Sequence, residues 1–134
     1  MLKKEYEILE EFCRKPWKKF TFREIKEISG KSSESYVYNS LKGFAKEGIL
    51  KEERAGNVVL YSLYLDSMKA HSYAGFVSEY ISFFNKHIPI MDLGRLAPKI
   101  PTDFYILLVT GSYAKGTQRK DSDMDLVVIC DDCM

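Results

Sequence analysis

Residues 32–63 read SSESYVYNSLKGFAKEGILKEERAGNVVLYSL, and this stretch decides the fold of the front half of the chain. Ser32 or Ser33 can cap a helix whose apolar side is Val37, Leu41, Phe44 and Ala45, spaced at the three- and four-residue steps of an α-helix. Gly48 marks its end. Two β-prone runs follow, ILKEER and VVLYSL, around a turn at Ala55-Gly56-Asn57, and this predicts a hairpin. Upstream, Leu2, Tyr6, Leu9 and Cys13, with Ile8 and Phe12 beside them, predict a first helix that ends before Pro16. Thr21 then precedes FREIKEI with Glu24 three residues on, the pattern of a capping box, and this short second helix stops at Gly30.

Three helices and a hairpin within residues 1–65 resemble a winged helix-turn-helix domain. The string from Ser32 to Leu50 is similar to that family's recognition helix and its exit into the wing. The resemblance implies a partner, double-stranded DNA, with the third helix entering the major groove. Ser35, Asn39, Lys42 and Lys46 line the side opposite Val37 and Leu41, flanked by Tyr36 and Tyr38. Asn39 suits an adenine edge, and Lys42 and Lys46 suit phosphates. Arg54 and Asn57 at the wing tip suit the minor groove or backbone, whereas Glu52 and Glu53 beside them oppose DNA. The same fold also serves as a protein-interaction module, in which case the polar stripe is a solvated face.

The totals fit this front half and add a contrast. Residues 1–65 hold 13 Lys/Arg against 10 Asp/Glu, and residues 66–134 hold 7 against 9, so a net +3 is followed by a net −2. With 46% hydrophobic, 13% aromatic and 29% charged residues, the composition supports packed cores and argues against disorder. No apolar run approaches a membrane span, and the first residues lack the apolar core of a signal peptide, so a cytoplasmic location with no membrane partner is expected. Cys130 and Cys133 form one C-x-x-C with no second Cys or His pair at a zinc spacing, and Cys13 reads as a core residue.

From Asp66 to His87 the sequence predicts a longer helix with Asp66 as its cap. Tyr73, Phe76, Val77, Tyr80, Ile81, Phe83, Phe84 and His87 lie along one broad side. Such a face needs a cover, either the downstream domain or the same helix of a second copy. Winged-helix regulators often dimerise through a flanking helix, so the resemblance implies a homodimer. His71 and His87 read as surface or packing residues. Pro89, Pro98 and Pro101 then break residues 66–101 into a linking helix and a connector with one short helix.

The second domain, residues 102–134, opens on FYILLV (104–109), a run suited to a buried strand, followed by TGSYAKGTQRKDSDMDLVVI (110–129). This string resembles the signature of the DNA polymerase beta-like nucleotidyltransferases, above all the minimal ones. These carry Gly-Ser after a first strand, a short helix, and Asp-x-Asp on a second strand. The resemblance implies nucleotide binding at Gly111, Ser112 and Gly116. Gly111 would let the backbone approach a phosphate, and Ser112 would offer a hydroxyl and an N–H. Asp123 and Asp125, two apart on a strand, would face the same way as catalytic carboxylates and hold Mg²⁺ against a nucleoside triphosphate. Met124 would turn into the core, with a buried strand continuing beyond.

The family's third carboxylate lies on a later strand, and the sequence stops nine residues past Asp125. Asp131 and Asp132, at the far end of the same strand, are poorly placed to replace it. The fold class expected is therefore α+β: a winged helix-turn-helix, a linking helix, and an incomplete nucleotidyltransferase-like segment. The leading functional expectation is a DNA-binding transcriptional regulator whose C-terminal segment is incomplete or inactive. The alternative is a metal-dependent nucleotidyltransferase, antitoxin-like, moving a nucleotide monophosphate onto a protein or RNA, with the winged helix as its targeting domain.

Overall fold

The computed structural model describes residues 4–131, so Leu2 of the expected first helix, and Asp132 and Cys133, lie outside the described residues. The fold is α+β, and the chain divides into two compact units, residues 1–81 and 82–134.

In the first unit a 3-10 turn (Lys4–Ile8) runs into α1 (Leu9–Arg14). A two-residue strand, β1 (Phe20–Thr21), leads into α2 (Phe22–Ser29). The capping box is present: Glu24 N–H donates to Thr21 Oγ1 at 3.2 Å and Thr21 N–H donates to Glu24 Oε2 at 2.7 Å. The Thr21 N–H, followed by Lys18, holds the Glu24 carboxyl below its usual pKa. Gly30 closes α2 in the left-handed conformation at φ 62°. Ser33 caps α3 (Glu34–Lys46) by accepting from Tyr36 N–H.

Strands β2 (Leu50–Ala55) and β3 (Val58–Leu63) form the wing around Gly56–Asn57. The turn is one residue tighter than expected, because Ala55 pairs with Val58 inside the ladder. A φ of 61° at Gly56 supplies the positive first dihedral that a two-residue hairpin turn requires. β1, β3 and β2 pair in that order, all antiparallel, with Phe20 opposite Tyr61. Short β1 is invisible to periodicity, because it matters only through its pairing with β3. Ile8, Leu9, Phe12, Phe20, Ile25, Val37, Leu41, Phe44 and Tyr61 are buried together, and the arrangement is that of a winged helix. Cys13 packs half-buried against this core, and desolvation pushes its thiol up to about 11.

The helix expected over 66–87 is shorter. α4 spans Met68–Phe83, and Ser67, not Asp66, caps it by accepting from Ala70 N–H at 3.3 Å. His87 lies beyond its end. Ala70 and Val77 are buried in the winged-helix core, with Tyr73, Ala74 and Ile81 packed against it. Tyr73 meets Tyr6 edge-on at 5.5 Å between centroids. One face of the helix thus completes the first unit, while Met68, Phe76 and Phe83 stay exposed.

The second unit holds α5 (Ile90–Leu96), a 3-10 turn (Ala97–Lys99), β4 (Tyr105–Val109), α6 (Gly111–Lys115) and β5 (Leu126–Cys130). α5 is the short helix expected between the prolines. β4 and β5 pair antiparallel, Tyr105 with Cys130 through Val109 with Leu126. Two expectations are overturned here. The strand begins only at Leu126, so Asp123 and Asp125 precede it; aspartate is a poor strand former, and Ser122 is tied to Arg119 in a turn. Nor are the strands buried: Ile106, Leu108, Val127 and Ile129, which pair with one another, are all exposed. Met124 is half-buried rather than in a core. No helix among the described residues is long and apolar enough to cross a membrane.

Candidate nucleic-acid and nucleotide sites

α3 can present a polar face because its other face is consumed by the core: Val37, Ser40, Leu41 and Phe44 are buried, and Ser35, Tyr38, Asn39 and Lys46 are exposed. The residues expected to meet DNA fare unequally. Tyr36 does not flank the exposed stripe; it packs half-buried against the core. Lys42 lies on the stripe, but Glu52 of β2 holds its ammonium with both carboxylate oxygens, at 2.7 and 2.6 Å. This pairing raises the Lys42 pKa. Its charge also sits 5.8 Å from the centre of the Tyr38 ring.

Nearby cations are paired in the same manner: Lys19 with Glu53 at 2.7 Å, Lys18 with Glu24 at 3.2 Å, and Lys26 with Glu34. Lys46 is exposed and enters no ion pair among the described residues. Arg54 and Asn57 are exposed on the wing. Exposed pairs are worth little and exchange readily, so these lysines remain available to phosphate at the cost of releasing a carboxylate.

In the second unit, β4 ends at Val109 and the chain turns at once into α6. Gly111 takes φ 67°, a left-handed conformation that favours glycine. The Asp125 carbonyl accepts from Thr110 N–H at 2.9 Å, which extends the β4–β5 pairing by one step. The Asp125 carboxylate then lies against Gly111: a Cβ there would stand 2.0 Å from Asp125 Oδ2. The missing side chain at Gly111 thus makes room for this carboxylate. Gly116, at φ 67°, closes α6, and Thr117 N–H donates back to Ser112 O at 2.9 Å.

Between α6 and the aspartates, Ser122 N–H donates to Arg119 O at 3.1 Å while Arg119 N–H donates to Ser122 Oγ at 2.8 Å, and this fixes the loop. The arrangement brings Gly111, Ser112 and Asp125 to one end of the hairpin, with exposed Asp123 two residues away in sequence. No group of three His, Cys, Asp or Glu residues able to hold a metal occurs among the described residues. Two carboxylates nonetheless suit Mg²⁺, which commonly takes one or two from a protein and completes its shell with phosphates and water.

One neighbour of this loop escaped sequence reasoning. His87 lies against Gly116, where a Cβ would stand 3.0 Å from its ring, and its Nδ1 is 3.1 Å from Gln118 Nε2. Thirty-one residues separate the pair, and a lone histidine gives no signal of such packing. His71 behaves as a surface residue, with Nε2 2.6 Å from the Leu65 carbonyl oxygen.

The nucleotidyltransferase domain family matches residues 105–133, the segment that carries the glycine loop and both aspartates. No curated protein matches the chain. Among solved structures, the chain is similar to a double mutant of Lactococcus lactis ZitR in apo form, at 25% identity and a TM-score of 0.46, with 74% of this chain and 67% of that one covered. A possible transcriptional regulator from Methanosarcina mazei is 14% identical over 76% of this chain and 81% of its own, with a TM-score of 0.45. A single-site mutant of L. lactis ZitR in complex with DNA is 21% identical, covering 75% and 71%, with a TM-score of 0.43.

Proposed function

We propose that this protein is a DNA-binding transcriptional regulator, in which the winged helix reads duplex DNA and the nucleotidyltransferase-like segment is a non-catalytic or sensing appendage. The observation that carries this reading is α3, packed on the core by one face and free on the other, with Ser35, Tyr38, Asn39 and Lys46 exposed beside the wing residues Arg54 and Asn57. In this reading Asn39 meets a base edge and Lys46 a phosphate. Lys42 contributes only after Glu52 lets go. Exposed Met68 and Phe76 on α4 support a homodimer built through that helix.

Fluorescence anisotropy with duplex DNA across a salt series tests the proposal. Lys46→Ala weakens binding and lowers the salt slope by about one. Lys42→Ala does less, and Glu52→Gln tightens binding by freeing Lys42. Wild type and the Lys42→Ala/Lys46→Ala double variant binding DNA alike would remove this face from the interface.

The second reading is a magnesium-dependent nucleotidyltransferase, antitoxin-like, that the winged helix directs to its target. It is favoured by one observation, the Asp125 carboxylate seated at the start of α6 beside Gly111 and Ser112. Asp123 and Asp125 would hold Mg²⁺, which supplies charge neutralisation against a triphosphate. Calorimetry with Mg·ATP decides between the readings. Binding by the wild type that Asp123→Ala/Asp125→Ala abolishes supports a nucleotide site, and no binding by the wild type removes it.

A further inference from the structure

The first unit contains a cavity of about 380 Å³ between the N-terminal 3-10 turn and α3, within the size range of small-molecule sites. Glu5 and Tyr6 line it from the turn, Tyr36, Asn39, Gly43 and Phe44 from α3, and Glu47 from just past that helix's end. Three observations describe what it can hold. Its apolar wall is aromatic, with Tyr6 stacked on Phe44 at 6.0 Å between ring centroids and Tyr36 beside them.

Among the described residues, its lining includes two carboxylates, Glu5 and Glu47, and no Lys, Arg or His. Glu47 is partly neutralised by Lys69 at 3.1 Å, whereas Glu5 enters no ion pair among the described residues. The tyrosine hydroxyls feel the nearby charges: a hydrogen bond with Tyr73 and burial raise the Tyr6 pKa, burial raises that of Tyr36, and Glu5 adds to both, with Lys31 opposing it more weakly at Tyr36. Finally, Gly43 stands in mid-helix, where glycine weakens α3, and a Cβ there would meet nothing within 4 Å. The missing side chain leaves room at the cavity wall.

We propose that this cavity binds a small organic monocation, its charged nitrogen against Glu5 and its apolar or aromatic body on Tyr6, Tyr36 and Phe44. Aromatic faces attract a cation through their quadrupole, and a carboxylate beside them adds direct attraction. A neutral body of the same shape keeps only the apolar contact, and an anion is repelled. The inference rests on neither the DNA reading nor the nucleotide reading.

Calorimetry or ligand-observed NMR on the full chain tests it with benzylamine, benzyl alcohol and benzoate as probes. Benzylamine binds saturably, benzyl alcohol binds about tenfold more weakly, and benzoate does not bind. Glu5→Gln weakens benzylamine about tenfold and leaves benzyl alcohol unchanged. Gly43→Leu fills the cavity with a good helix former, so it removes binding of both probes while the circular dichroism of the fold is kept. Benzyl alcohol or benzoate binding as tightly as benzylamine overturns the proposal. So does unchanged benzylamine binding in folded Gly43→Leu, or no saturable binding to the wild type in the millimolar range.

Discussion

The two units treat their apolar residues differently. In the first, Phe12, Phe20, Ile25, Val37 and Leu41 have no exposure at all, because helices, wing and one side of α4 close around them. In the second, Ile106, Leu108, Val127 and Ile129 pair with one another across β4 and β5, yet each is between 42% and 56% exposed. The exposed strands are the more apolar, YILLV and LVVIC against LKEERA and VVLYSL in the wing. The difference lies in the number of layers: the first unit stacks helices on a three-stranded sheet, and the second has a two-stranded sheet with one face open and Val128 exposed on the other. An isolated two-stranded ribbon is marginal in water. Hydrophobic sequence therefore specifies a strand here without specifying what covers it.

Truncations test that contrast most directly. Leu41→Ala should cost about 3 kcal/mol in chemical denaturation, the usual loss for a buried leucine, while Ile129→Ala should cost less than about 0.5 kcal/mol. Comparable losses would mean that the open face is covered in solution, and the contrast would dissolve. Next in size is Gly111→Ala, where a left-handed φ and the Asp125 carboxylate both oppose a side chain. A loss of roughly 2 kcal/mol is expected, read as faster hydrogen exchange at Thr110 N–H, which donates to Asp125 O. Gly43→Ala in α3 should instead be neutral or stabilising by up to about 1 kcal/mol, because its Cβ is unobstructed.

Thr21→Ala removes one half of a capping box and should lower the stability of the first unit by about 1 kcal/mol in the same denaturation assay. The smallest expected effect concerns pH. The Glu24 carboxyl is depressed below its ordinary value of 4.5, so its contribution is present above that value and fades as pH falls through the lower folded pKa. Glu24→Gln should flatten the acid limb of the first unit's stability below about pH 5 and leave the second unit's untouched.

The first unit was largely legible in its residues. The spacing of Val37, Leu41 and Phe44, the Thr21–Glu24 box and the Gly30 cap are local signals, and each reappears as read. What escaped depends on distant partners. β1 exists because Tyr61 and Leu60 lie opposite it, and Lys42 is held by a carboxylate ten residues away on another element. α4 illustrates a different limit: an aromatic run announces that a face needs covering, but not that Ala70 and Val77 would turn toward a core already formed upstream. In the second unit the glycine loop and both aspartates were legible as a motif. Their geometry was not, since Asp125 packing onto Gly111 is a contact across fourteen residues that no spacing encodes.

The burial of Cys13 has a practical consequence. A thiol held near 11 is almost entirely protonated at neutral pH and hence unreactive, whereas Cys130 is exposed on the second unit. In a Cys133→Ser background, an alkylating reagent should modify Cys130 promptly and Cys13 only when the winged helix opens. Each unit thus carries its own chemical clock, and mass spectrometry of the two labelled peptides would time the opening of one unit against the baseline set by the other.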